Sequence, residues 1–132
     1  MTTIQDLIKA AHGVTGVYKP SKQVESGSVG AALLTKDGNV YTGVCIDTAS
    51  SLGFCAEHSA IAEMLKHHES EIVMVAAVDT EGRPGTPCGR CREFLYQLNK
   101  ANEDTKIILG PDKTITLKEL LPMHWLDMWG RR

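Results

Sequence analysis

Apolar residues along this chain recur with two different periods. Ile4, Leu7, Ile8 and Ala11 follow Thr2 and Thr3, which can cap, at helical spacing. The spacing predicts a helix over roughly residues 3–12. Residues 18–30 hold Pro20, Ser21, Ser26, Gly27 and Ser28 and read as loop up to the apolar run Val29–Thr35. That run reads as a strand, Lys36-Asp37-Gly38-Asn39 as a tight turn and Val40–Ile46 as the return strand of a hairpin. Thr48–Gly53 is expected to be loop. Ala56, Ala60, Ile61, Met64 and Leu65 form a stripe that predicts a helix over residues 55–67.

Ile72–Val78 is a continuous apolar, β-branched run, the mark of a buried strand. Gly82, Pro84, Gly85 and Pro87 make residues 80–87 an extended loop. A helix over residues 88–100 turns Phe94, Leu95 and Leu98 inward. Lys106–Leu109 is a short strand, Thr114–Thr116 can pair back on it, and Leu117–Leu121 is one or two helical turns stopped at Pro122. The order α-β-β-α-β-α-β-β predicts one mixed sheet with helices on its faces, in a single domain over residues 1–132.

Composition narrows the possible partners. The net charge is −2 and hydrophobic residues make up 42% of the chain, so a core is available and no bulk positive charge draws nucleic acid. A small neutral or cationic substrate fits better. No apolar run approaches a membrane span. Met1–Asp6 lacks the basic-then-apolar order of a secretory signal. The expected setting is the cytoplasm, where four cysteines point to metal or catalysis before disulfides.

Three of those cysteines stand in two clusters, Cys55-Ala56-Glu57 and Pro87-Cys88-Gly89-Arg90-Cys91. Cys88 and Cys91 are three apart at a predicted helix start, so both thiols can face one point. Cys55 begins another helix and can meet them there. Helix N-termini lower thiol pKa values and favour the thiolates that Zn²⁺ requires. Three protein ligands leave one position for water, the arrangement of a catalytic zinc. Glu57, two residues beyond Cys55, can carry protons between water and a substrate ring. Arg92 and His58 each follow a ligand and are expected to support thiolate sulfur by hydrogen bonding. Cys45 reads as interior packing of a strand.

These motifs resemble the cytidine deaminase family. Those that carry the resemblance are Tyr18-x-Pro20, Val29-Gly30-Ala31-Ala32, Asp37-Gly38, Thr42-Gly43, Cys55-Ala56-Glu57, Pro87-Cys88-Gly89-Arg90-Cys91-Arg92-Glu93 and Glu119-Leu120-Leu121-Pro122. The resemblance implies a three-layer α/β/α fold with a five-stranded mixed sheet. It also implies one Zn²⁺ per subunit and the homotetramer of the short, three-cysteine branch. Its implied activity is hydrolytic removal of the C4 amino group of cytidine, deoxycytidine or a close analogue, in pyrimidine salvage. The backbone N–H of Ala56 would hold the ring carbonyl. The chain departs from the family pattern at the sugar end of the pocket. There Cys45-Ile46-Asp47 replaces Asn-x-Glu, Gly27 replaces a Phe, and His58 replaces an Arg. Asp47 is then the best candidate for a substrate hydroxyl, with Cys45 beside it. Blasticidin S deaminases also alter this region and are the alternative activity. A non-catalytic structural zinc protein is the alternative of another class. In the tail, Trp125 or Trp129 is expected either to cover a neighbour's active site or to pack on its own subunit or at the tetramer interface.

Overall fold

A computed structural model describes residues 1–129; the last three residues of the expected domain span lie outside the described residues. The elements in chain order are α1 (Ile4–Gly13), β1 (Glu25–Thr35), β2 (Val40–Asp47), α2 (Ala56–Lys66), β3 (Ile72–Asp79), α3 (Gly89–Leu98), β4 (Lys106–Gly110), β5 (Lys113–Thr116), α4 (Leu117–Leu120) and α5 (Trp125–Met128). The five strands form one sheet in the order β2-β1-β3-β4-β5. β3 and β4 run parallel, and the other neighbours are antiparallel.

Strand periodicity separates two helical layers. Leu33, Val75 and Ile107 point to one face, where Ala60, Ile61 and Met64 of α2, Leu95 of α3 and Leu117 of α4 cover them. Their chain neighbours Ala32, Leu34, Met74, Ala76 and Ile108 point to the other face, onto Leu7 and Ala11 of α1. One residue along a strand switches faces, so a run apolar at every position is one covered on both sides.

Asn102 locks the turn after α3 to β3. Its buried side chain accepts the Ile72 N–H at 2.8 Å and donates to the carbonyls of Ser70 and Leu95 at 3.0 and 2.9 Å. At β2, Gly43 allows close approach of α2. A Cβ there would fall against the backbone nitrogen of Ala60 and 2.6 Å from Ser59 Cβ. The Ser59 hydroxyl in turn accepts the Val44 N–H at 3.4 Å. The helix that carries Glu57 is therefore seated directly on the strand that carries Cys45 and Asp47.

Two expectations needed correction. β1 begins at Glu25, not Val29, so Ser26, Gly27 and Ser28 are strand residues. Ser26 pairs with Ile46 on one side, and its amide and carbonyl exchange hydrogen bonds with Tyr18. The register against β2 then shifts between Ser26 and Gly30. The second correction is α5, a helical turn in the tail, capped by the His124 ring accepting the Leu126 N–H at 2.9 Å.

Replacing Gly43 by Ala should lower the unfolding free energy by about 1–3 kcal/mol, because the added methyl must push α2 off the sheet. Denaturant titration of the two proteins measures this, and an unchanged midpoint would contradict the close seating.

Candidate metal and catalytic site

Two helix starts converge at one end of the sheet. Cys55 is the N-cap of α2 and Cys88 the N-cap of α3, both with extended backbone and neither with a side-chain capping bond. Cys91 lies in the first turn of α3. The amides of His58 and Arg92 bond to the carbonyls of Cys55 and Cys88 at 3.1 and 3.0 Å, which starts each helix. Each N-terminus presents partial positive charge and unpartnered amides toward the shared point.

The sulfurs gather there. Cys55 Sγ is 3.4 Å from Cys88 Sγ, which is 3.5 Å from Cys91 Sγ, and all are free thiols. Two sulfurs bound ~2.3 Å from one tetrahedral zinc would be about 3.8 Å apart, so the donor set fits that ion with little movement. His58 adds an imidazole: its Nδ1 is 3.4 Å from Cys91 Sγ. The donor atoms of Cys55, His58 and Cys91 lie within 4.8 Å of one another. Four atoms could therefore hold a metal, with Cys55 and Cys91 common to both triads. The His58 ring packs against Phe54 and Phe94, with centroids 6.3 and 4.8 Å away.

The electrostatics follow from depth. Burial, then the charge of Glu57, pushes the Cys91 thiol far above its ordinary value. Burial and the neighbouring Cys88 raise Cys55. Burial also opposes ionisation of Cys88, but the Cys91 backbone N–H and the neighbouring thiols outweigh it and bring Cys88 down. A bound divalent cation deprotonates coordinating thiols outright. Glu57 is 4% exposed. Burial raises its pKa, overriding hydrogen bonds from its own N–H and from Cys91. His58 is lowered by burial and by Arg90, so its ring favours the neutral form.

A cavity of about 760 Å³ opens beside this cluster and is lined by Cys55, Ala56, Glu57 and Cys88. Ala56 is the first residue of α2, so its N–H has no intrahelical partner. Cys45 and Asp47, at the end of β2, line the cavity too. The Cys45 thiol, 8% exposed, packs with Ala31, Ala56 and Ala77 as expected of an interior strand residue. It lies 3.2 Å from Ser28 Oγ and accepts the Val29 N–H at 3.3 Å. It thus faces β1 rather than the three sulfurs.

Arg92 does not serve sulfur. Its Nε donates to the Pro87 carbonyl at 2.8 Å and its Nη1 to the Leu120 carbonyl at 3.2 Å. It ties the loop ahead of Cys88 to the end of α4, because those carbonyls lie on the same side of α3 as its side chain. Of the two groups expected to support thiolate, His58 is the one in reach.

Sequence reasoning missed Ser28, Arg83 and Arg90 as cavity residues. Ser28 looked like loop, and Arg83 lies in a Gly- and Pro-rich stretch. The signal for Arg90 was present, since it sits inside the Pro-Cys-x-x-Cys motif.

Residues 1–105 match the family model described as the cytidine and deoxycytidylate deaminase zinc-binding region. A cytidine deaminase of Halalkalibacterium halodurans is 40% identical over 124 residues, covering 89% of this chain and 90% of that protein. A cytidine deaminase of Mycobacterium tuberculosis is 34% identical over 114 residues, covering 86% of this chain and 81% of that protein. The crystal structure of the Mycobacterium leprae cytidine deaminase superposes with a TM-score of 0.75 at 36% identity, covering 90% of this chain and 97% of that one. That of the M. tuberculosis protein gives 0.76 at 31% identity, covering 92% and 95%.

Replacing His58 by Ala separates ligand from support. If His58 only donates to Cys91, the variant keeps one zinc per chain by metal analysis while kcat falls about 10–100-fold. Loss of the zinc itself would make His58 a ligand.

Proposed function

The chain belongs to the cytidine deaminase family, and from that premise we propose that it is a zinc-dependent aminohydrolase converting cytidine and water to uridine and ammonia. The observation that carries the reading is the meeting of the Cys55, Cys88 and Cys91 sulfurs beside a buried carboxylate at the wall of a cavity. Those three thiols would hold Zn²⁺, which supplies a Lewis acid that lowers the pKa of water.

Glu57 moves the protons. Its carboxylate accepts one from the attacking water and delivers it to ring N3 as the water oxygen adds to C4. It then carries the water's second proton to the departing amino group, so ammonia leaves and a C4 carbonyl remains. A buried carboxylate with a raised pKa is a stronger base and returns its proton at neutral pH. The Ala56 N–H would donate to the ring carbonyl, and Asp47 would accept from a substrate hydroxyl; both line the cavity. His58 steadies the Cys91 thiolate.

The finer features follow from family membership. We infer a single domain, a cytoplasmic setting in pyrimidine salvage, and a homotetramer. Exposure of Met123 (77%), Trp125 (53%), Met128 (69%) and Trp129 (64%) supports burial of the tail in an assembly. Light scattering at four times the chain mass is the expected result, and a monomer would overturn it.

Replacing Glu57 by Gln should cost about 10²–10⁴-fold in kcat with zinc retained; activity equal to the parent would overturn the proton-transfer role. Ultraviolet assays with cytidine, deoxycytidine and blasticidin S under one set of conditions should show cytidine consumed. Turnover of blasticidin S alone would favour the antibiotic-resistance reading instead.

A further inference from the structure

β1 is irregular where it borders the cavity. Its register against β2 shifts between Ser26 and Gly30. Irregularities of this kind re-aim a side chain. Gly27 permits this one: its φ is +86°, and a Cβ there would fall on the Gly16 carbonyl. Ser28, the next residue, is half-buried and lines the cavity. Its Oγ lies 3.2 Å from Cys45 Sγ, which also accepts the Val29 N–H at 3.3 Å. The hydroxyl at the cavity wall is therefore held from behind by a buried thiol.

This pair can hydrogen-bond in either sense. A serine hydroxyl has one proton and two lone pairs, and a thiol is a weak donor and a weak acceptor. When the hydroxyl donates to sulfur, Ser28 offers the cavity an acceptor. When the thiol donates to Oγ, the Ser28 proton is free for a ligand. Ser28 thus serves a ligand hydroxyl in either role, and Cys45 holds it in both. Asp47 lies two residues beyond Cys45 on the same face of β2 and lines the same cavity. The bound ring decides what meets them. With C4 at Glu57 and the C2 carbonyl at the Ala56 N–H, N1 and its substituent leave past Ala56. Cys45 shares a buried cluster with Ala56, so the substituent next reaches the Cys45–Ser28 pair. The first hydroxyl of a ribose met from N1 is the one on C2′, with the C3′ hydroxyl beside it on the same face of the sugar.

We propose that Ser28, held by the Cys45 thiol, binds the 2′-hydroxyl of the substrate while Asp47 takes the 3′-hydroxyl, so that the preferred substrate is a cytosine ribonucleoside and not its 2′-deoxy form. The inference rests on the cytosine reading above and adds the residue that reads the sugar. Ser28 is the binding residue, and Cys45 is a positioning residue that acts through it.

The test is steady-state kinetics of the zinc-loaded protein with cytidine, 2′-deoxycytidine, 3′-deoxycytidine and arabinosylcytosine. In the parent protein kcat/KM for cytidine should exceed that for 2′-deoxycytidine about three- to tenfold, the scale of one neutral hydrogen bond. Arabinosylcytosine, whose 2′-hydroxyl lies on the opposite face of the sugar, should behave as the 2′-deoxy compound, and this arm needs no variant. Ser28→Ala should lower kcat/KM for cytidine and for 3′-deoxycytidine by that same factor and leave 2′-deoxycytidine near its parent value. Cys45→Ala should also narrow the ratio of cytidine to 2′-deoxycytidine; a ratio equal to the parent's would overturn the thiol's part. Equal losses on all four substrates in Ser28→Ala, or a parent protein indifferent to the 2′-hydroxyl, would overturn the subsite and leave the cytosine reading standing. A parent protein that deaminates none of the four would overturn the cytosine reading and the subsite with it.

Discussion

Two helices that begin at the same point in space impose a demand that the surrounding architecture must meet. Each N-terminus carries partial positive charge and unpartnered amides, and two such ends repel. At α2 and α3 the usual remedy, a Ser, Thr, Asp or Asn cap, is replaced by Cys55 and Cys88, whose side chains make no capping bond. The thiols turn outward to each other and to Cys91 instead. The two helix starts are stable together when negative charge gathers between them, and sulfur ionised on a divalent cation is such a charge. Binding of a metal there would therefore stabilise both helix starts at once.

That demand explains much of the placement elsewhere. Gly43 lets α2 settle against β2, which brings Glu57 near the strand end that carries Cys45 and Asp47. Asn102 holds the end of α3 to the start of β3, so α3 is pinned at the end remote from the sulfurs. Arg92 fastens Pro87 to Leu120 and fixes the approach to Cys88. The helices are held by their flanks, and the meeting point is left free for chemistry.

The parts legible in the sequence were those written locally. The unbroken apolar runs Val29–Thr35 and Ile72–Val78 mark the inner strands, and cysteines at two helix starts mark the metal. What escaped was set by distant partners. Ser26, Gly27 and Ser28 have turn composition, yet they lie within β1, where Ser26 pairs with Ile46 on one side and Tyr18 on the other. Arg92 looked like a sulfur donor beside Cys91, but the Leu120 carbonyl that claims it is far along the chain. Cys45 packs as its strand position implies, but the hydrogen bonds that Ser28 and Val29 bring to its thiol depend on the irregular register of β1. Spacing identifies ligands on one helix turn; it does not say which long side chain finds which carbonyl.

The tail adds a mechanical side to this arrangement. Buried His124 places Nε2 2.7 Å from the Glu93 carboxylate, and its ring meets Tyr96 edge-on at 3.8 Å. Glu93 and Tyr96 belong to α3, the helix whose first turn carries Cys91 and whose cap is Cys88. Within α3, Glu93 and Tyr96 lie only about 3 and 8 Å along the helix axis from Cys91. The tail is thus fastened to the same short helix that positions Cys88 and Cys91, with no loop between them to absorb a displacement.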